Sequence, residues 1–260
     1  MNILDTIIAQ KKLEVAERKV RTPVGMLEQS AYFNRKPLSL KQFLTDKDRT
    51  GIIAEFKRKS PSKGWINAGA DAAIITKAYT DKGASGLSVL TDEFFFGGGF
   101  NDFKEARINN IPILRKDFMI DEYQLIEAKS IGADVILLIA ANLTPVQVKQ
   151  LAATAKQLGL EVLLEIHNEE ELGHICDEVD IVGVNNRNLK TFEVSINTSI
   201  ELSSMIPADK LKISESGISQ VENILELKKH GYKGFLIGEN FMKAPDPAIA
   251  FAAFVKHLKS

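Results

Sequence analysis

The chain has 260 residues, with 33 basic and 34 acidic side chains and a net charge of −1 when histidine is neutral. Its 45% apolar and 26% charged composition is that of a globular protein long enough to bury a large core. The near-neutral balance gives no electrostatic basis for a nucleic-acid or anionic-membrane partner, and a single cysteine, Cys176, excludes an internal disulfide and a thiolate zinc site.

The opening MNILDTIIAQKK has no basic n-region and carries Asp5 within its apolar stretch, so it does not read as a secretory signal. The longest apolar run, VILLIAA over 135–141, is far shorter than the roughly 20 residues that span a bilayer. A cytoplasmic protein is expected. NILDTIIAQKKLEVAERK is amphipathic, with Leu4, Ile7 and Ile8 on one face and its lysines and glutamates elsewhere, and predicts a helix ended by Thr22-Pro23. A second short helix, SLKQFL, is expected to start with Ser39 as its cap.

After Thr50 the pattern changes to short, nearly all-apolar runs: GIIAEF (51–56), GLSVL (86–90), IPILRKD (111–117), DVILLIAA (134–141), EVLLEI (161–166), DIVGVNN (180–186), LKISES (211–216) and GFLIGE (234–239). Runs without alternation indicate strands buried on both faces, as in a parallel sheet. Helix-like stretches separate them, several ending in glycine, a common helix stop. An open doubly wound sheet is the alternative, but no Gly-x-Gly-x-x-Gly follows the first strand. Eight βα units in about 210 residues match a (β/α)8 TIM barrel of the α/β class. The expected organisation is one domain, with residues 1–50 as an N-terminal helical extension and 51–260 as the barrel.

In such a barrel the chemistry lies at the C-terminal ends of the strands. Strand 1 continues into Glu55, Lys57 and Lys59, which share one face while the chain stays extended. Strand 3 ends in Lys116, strand 5 in Glu165 and His167, strand 6 in Asn185 and Arg187, and strand 7 in Glu215 and Ser216. Each alone reads equally well as a solvated loop residue. Together, Glu55, Lys57, Lys116, Glu165 and Glu215 come from the odd-numbered strands, which supply common layers in this fold, and a ring of these charges suits acid–base chemistry. Arg58, Arg115 and Asp117 alternate with them and are expected to face outward into helix-side salt bridges.

Ser216-Gly217 and Gly238-Glu239 follow strands 7 and 8, the usual phosphate position, although glycines there also serve simple turns. FFFGGGF (94–100) reads as a flexible apolar loop, either packed on the rim or walling an aromatic substrate with Phe118 and Leu137. His167 and His174 flank Glu169, Glu170 and Glu171 without metalloprotease spacing, and the acidic run suits a helix N-terminus. No metal is expected.

IIAEFKRKSPSKG, SVLTDEFFFGG, ILRKDFMIDEYQ, EVLLEIHNEEEL, VGVNNRNLKTF, ISESGI and FLIGENFM resemble the indole-3-glycerol phosphate synthase family, in order and over essentially the whole chain. The resemblance implies a carboxy-lyase of tryptophan biosynthesis that closes, decarboxylates and dehydrates 1-(2-carboxyphenylamino)-1-deoxyribulose 5-phosphate. It implies no cofactor, a phosphorylated small-molecule substrate as the partner, and a monomer as the usual state. It assigns a general acid to Lys116, a general base to Glu165 and an assisting role to Lys57. Glu55, Asn185, Glu215 and Ser216 match residues that position the substrate and tune the lysines. Lys59, Ser60, Arg187 and Leu189 match substrate-binding positions, Gly217, Gly238 and Glu239 the phosphate site, and Phe96, Phe118 and Leu137 the apolar walls. Phe95-Phe96-Gly97-Gly98-Gly99 stands where many relatives read Tyr-Phe-x-Gly-Ser, and Glu239 where some carry serine.

Overall fold

The structure, a computed structural model, describes residues 3–189 and 191–260; Asn2 and Lys190, which fall within the motifs above, lie outside them. Among the described residues eight parallel strands close into a barrel. They are β1 (Ile52–Phe56), β2 (Gly86–Leu90), β3 (Ile113–Lys116), β4 (Val135–Ile139), β5 (Glu161–Ile166), β6 (Ile181–Asn185), β7 (Leu211–Glu215) and β8 (Gly234–Ile237). Each pairs with the next in sequence, and β8 pairs with β1. Each apolar run in the sequence contains one strand, so the (β/α)8 expectation holds. No helix among the described residues is long and apolar enough to cross a membrane.

Side-chain alternation divides the core in two. Ile53, Leu114, Leu163 and Ile213 belong to the barrel interior with Val135, Leu137 and Ile181. Ile52, Ala54, Ile113 and Leu164 belong to the outer core beneath the helices, where Cys176 also packs. Two residues further along the odd strands, the inward positions are Glu55, Lys116, Glu165 and Glu215. The ionisable layer therefore sits directly on an apolar one.

The first fifty residues are shared between the two ends of this barrel. Helix α3 (Leu40–Thr45) closes the N-terminal end, with Ser39 capping it by accepting the Gln42 N–H at 3.2 Å, as expected. Its Leu40 and Leu44 join the interior core. Gly86 and Gly234, the first residues of β2 and β8, leave room for them: a Cβ on Gly86 would lie 2.6 Å from Leu40, and one on Gly234 3.1 Å from Leu44. A shorter helix, α2 (Val24–Leu27), precedes α3. Helix α1 (Ile3–Arg21) lies at the other end, where Ile3, Leu4 and Ile7 face the barrel mouth.

The buried stripe of α1 is Ile7, Lys11, Val15 and Arg18, so two of its four members are cations. This corrects the expectation that the lysines of this helix lie away from its buried face. Lys11 is fully buried because it meets three carboxylates: Asp92 at 2.7 Å, Asp117 at 2.9 Å and Glu14 at 2.9 Å. Burial by itself would strip its proton, but the carboxylates outweigh that and hold its pKa above the ordinary lysine range. The network continues through Arg115, which pairs with Asp117 at 3.1 Å and Glu127 at 2.7 Å, and returns to α1 where Arg18 meets Glu127 at 3.1 Å. Arg115 and Asp117 thus face the helix side of β3, and Arg58, two residues past the end of β1, likewise turns to the helix side, pairing with Asp102.

The segment 94–100 is not the flexible loop that its glycines suggest. A short helix, Glu93–Phe96, and a second, Phe100–Ala106, are joined by Gly97–Gly99. Asp92 caps the first by accepting the Phe95 N–H at 2.8 Å while its other oxygen holds Lys11. Gly98 packs directly on the Leu90 carbonyl, where any Cβ would collide. Close backbone packing, rather than mobility, accounts for that glycine.

Removing one member of a buried ion cluster costs about 3–5 kcal/mol because its partners remain buried without compensation. Lys11→Met is therefore expected to undock α1 first. Hydrogen exchange should show Ile7–Arg18 losing amide protection while the barrel strands keep theirs. Unchanged protection in α1 would mean that the cluster does not hold the helix.

Candidate active site

A cavity of about 190 Å³ opens at the C-terminal ends of the strands. Its floor is the ionisable layer. Lys116 Nζ donates to Glu165 Oε2 at 2.7 Å and to Glu215 Oε2 at 2.8 Å. Lys57 Nζ lies 2.7 Å from Glu55 Oε1, and Ser88, beside Glu55 in the β1–β2 register, donates to the other Glu55 oxygen at 3.4 Å. Asn185 Nδ2 donates to Glu165 Oε1 at 3.0 Å. The side chains taken from the odd strands therefore form two linked charge groups across the mouth.

Burial and pairing split the properties of the two glutamates on Lys116. Both are buried, which alone would raise their pKa values. At Glu165 the nearby Lys116 and His167 cations outweigh burial and hold the carboxyl well below its usual range. At Glu215 burial wins over Lys116, and the charges of Glu165 and Glu55 add to it, raising the pKa to about 7. Its Oε1 is buried without a hydrogen-bond partner, against Gly183, where a Cβ would collide with it. Lys116 is lowered by burial but raised further by Glu165, Glu215 and Glu55, and stays protonated. The site holds a cation between one firmly ionised carboxylate and one that takes a proton near neutrality.

The rest of the cavity is apolar on one side and polar on the other. Phe96, Phe118, Leu137 and Leu189 line it, with ring centroids of Phe96 and Phe118 6.1 Å apart. Ser60, Arg187, Ser216 and Glu239 line the polar side, and Arg187 lies 3.4 Å from Glu239. Ser216 has φ +66°, a backbone state costly for a non-glycine residue. Buried Asn186 supports that turn, donating to the Ser216 carbonyl at 3.0 Å and to Ser214 Oγ at 2.9 Å.

Three sequence-derived site residues do not line the cavity. The strand ends at Phe56, so Lys59 no longer shares the inward face of Glu55 and Lys57; it enters a small hairpin, Lys59–Ser60 with Gly64–Trp65. There it donates to the Phe94 carbonyl at 3.0 Å and lies over the Trp65 ring. Gly217 faces Val194. Gly238 faces inward onto Glu55, and a Cβ there would lie 2.5 Å from Glu55 Oε1, so the glycine makes room for that carboxylate.

Other lining residues escaped the sequence reading. Ile3, Leu4 and Ile7 come from α1, and their apolar periodicity was the available signal. Phe192 and Pro61 come from loops with no such pattern. His167, next to Glu165 but outside this cavity, lies 3.2 Å from Glu165 Oε1 through its Nε2. Among the described residues no group of three or more His, Cys, Asp or Glu side chains is arranged to hold a metal ion.

The sequence profile described as Indole-3-glycerol phosphate synthase matches residues 4–254. The chain is 48% identical over 259 residues to the indole-3-glycerol phosphate synthase of Bacteroides thetaiotaomicron, covering 99% of each. It is 43% identical to the protein of the same name from a Polaromonas species, covering 96% of this chain and 97% of that one. Among solved structures it resembles 3-hexulose-6-phosphate synthase from Salmonella typhimurium, with TM-score 0.63 and 14% identity over 80% of this chain and 98% of that one. It also resembles a chain of the tryptophan synthase complex from Pyrococcus furiosus, with TM-score 0.61 and 18% identity over 82% and 98%. At these identities the two structures bear on the fold alone.

Glutamate-selective carboxyl ¹³C NMR should show one carboxyl titrating near pH 7 that disappears in Glu215→Gln, while Glu165 stays ionised well into the acid range. The two act oppositely on stability. The raised Glu215 pKa favours the fold in acid, and that contribution is lost as pH climbs from the ordinary glutamate range through about 7. The lowered Glu165 pKa contributes stability above the ordinary range, lost as pH falls through its folded value. A Glu215 that titrates like a free glutamate would overturn this division.

Proposed function

The chain belongs to the indole-3-glycerol phosphate synthase family, and on that premise we propose that its barrel mouth converts 1-(2-carboxyphenylamino)-1-deoxyribulose 5-phosphate to indole-3-glycerol phosphate, with Lys116 as general acid, Glu165 as general base and Lys57 assisting. The observation that carries the assignment of roles is the Lys116 ammonium poised between Glu165 at 2.7 Å and Glu215 at 2.8 Å on the cavity floor. A protonated donor and an ionised acceptor, side by side, are what a reaction needing both kinds of proton transfer requires.

In the ring closure, the aromatic carbon bearing the carboxylate attacks the ribulose carbonyl, and Lys116 delivers a proton to the oxygen as the new carbon–carbon bond forms. Carbon dioxide then leaves, and the electrons of the broken bond restore the aromatic ring by neutralising the cationic nitrogen within the substrate. Dehydration breaks the carbon–oxygen bond as Lys57 gives a second proton to the leaving hydroxyl, while Glu165 takes a proton from the neighbouring carbon. Two protons go to oxygen and one returns from carbon. Lys57, paired with Glu55, supplies a second cation at the reacting oxygen. Asn185 and Glu215 fix the two ends of the Lys116–Glu165 pair.

Binding follows the two-sided lining. The anthranilate ring stacks among Phe96, Phe118, Leu137 and Leu189. The phosphate lies toward Arg187, Ser60 and the turn at Ser216, with backbone N–H groups of the Gly217 and Gly238 loops as further donors. Glu239 holds Arg187 when the site is free, and phosphate takes its place as the guanidinium's partner. Lys59 steadies the rim through Phe94 until substrate draws it in.

Incubation with the carboxyphenylamino substrate should produce indole fluorescence and carbon dioxide, and absence of both would overturn the activity. Lys116→Met should fold and bind substrate while losing turnover by about 10²–10⁴-fold. Turnover within a few-fold of the parent would remove Lys116 from the acid role.

A further inference from the structure

His167 extends from the end of β5 away from the reaction cavity and into a second, polar cavity of about 520 Å³ shared with Asn168, Glu171 and Asn188. Both ring nitrogens lie close to carboxylate oxygens, Nδ1 in a hydrogen bond and Nε2 at ion-pair distance without the alignment of one. Nε2 lies 3.2 Å from Glu165 Oε1, and Nδ1 lies 3.1 Å from Glu171 Oε2. Glu171 cannot swing aside cheaply. Its Oε2 also accepts the His167 backbone N–H at 2.7 Å, its Oε1 accepts from Asn168 Nδ2 at 3.3 Å, and its own N–H donates to Asn168 Oδ1 at 3.2 Å.

A neutral imidazole has one N–H and one lone pair, so it would present a lone pair to one of these carboxylates. The imidazolium instead brings a positive charge within 3.2 Å of Glu165 while its Nδ1–H is donated to Glu171. Burial alone would disfavour that charge, but Glu165 and Glu171 outweigh it and raise the pKa of His167 to about 9. The neighbouring His174 has both nitrogens at backbone carbonyls, of Glu171 at 3.1 Å and Leu143 at 2.9 Å, and takes no part.

The need for a second cation beside Glu165 follows from the chemistry. Lys116 is the counter-ion of Glu165 only while it keeps its proton. Once Lys116 gives that proton to the substrate oxygen, a buried Glu165 left without a cation would take a proton too early to act as a base. We propose that His167, held as an imidazolium by Glu171, is a positioning residue that keeps Glu165 ionised and aimed while Lys116 is discharged. This rests on the reading of Glu165 as the base.

The groups that set the pH response are Lys116 from β3, Glu55 from β1, Glu215 from β7 and Glu171 from the turn after β5, with Arg187 and Glu193 as the remaining charges around the polar cavity. In His167→Gln, kcat should fall while KM stays near the parent value, and the acid limb of the kcat profile should move up by about one pH unit, a tenfold loss of ionised Glu165 along that limb. Glu171→Gln should move the same limb in the same direction. A parent-like kcat and acid limb in His167→Gln, with Glu165→Gln inactive, overturns the role of His167 and leaves the base intact. Full turnover in Glu165→Gln overturns the base itself. If His167→Gln does not fold, ¹⁵N NMR of the unaltered protein decides: both His167 nitrogens protonated at pH 7 supports the proposal, and a neutral ring overturns it.

Discussion

The Lys116 ammonium sits inside a barrel whose next layer down is purely aliphatic, and it can be there only because Glu165 and Glu215 accept from it at close range. An unpaired charge at that depth would lose its proton or pull the strand end out toward water. Much of the mouth follows from this requirement. Glu165 must be held, which places Asn185 and His167 beside it. Glu215 must fit in the same layer, which leaves Gly183 without a side chain on the neighbouring strand. Glu55 needs space in turn, which Gly238 provides. A glycine that reads in sequence as part of a phosphate loop is, in the fold, also the complement of a carboxylate.

The same rule operates on the outer side of β3, with the opposite result. Lys11, Asp117, Arg115 and Glu127 compensate one another in buried ion pairs, although Asp117 also lines the cavity. Adjacent residues of one strand thus serve different ends. Lys116 faces inward and keeps one carboxylate partner near its own titration point, whereas Arg115 and Asp117 face outward and are locked. Alternation of the strand separates charge that faces the cavity from charge locked in structural ion pairs at a spacing of a single residue.

Much of this was legible in the sequence because period and position carry it. Uninterrupted apolar runs placed the eight strands, and the polar residues that end them are the inward ring of the mouth. The part that was not legible depends on partners distant along the chain. A helical pattern cannot show that Lys11 is buried, since its carboxylates arrive from positions 92 and 117. Gly97 and Gly98 look mobile until Trp65 and the Leu90 carbonyl are seen packed against them. Lys59 looked inward only while the strand was assumed to continue past Phe56. His167 was read against a metal motif, whereas its role depends on the side chain two residues earlier and on Glu171.

Helix α1 both walls the cavity and is held by charges that lie far along the chain; Arg18 and its partner Glu127 are 109 residues apart. During synthesis the helix is made long before its docking surface exists, and on its own it carries a lysine and an arginine along the stripe that will be buried. Contacts of such separation close late because their loop entropy is offset only once the barrel strands between them are in place. Helix α1 thus settles only after the strands that carry its partners, and until it docks the barrel mouth lacks one wall. Closure of the cavity then reports completion of the fold.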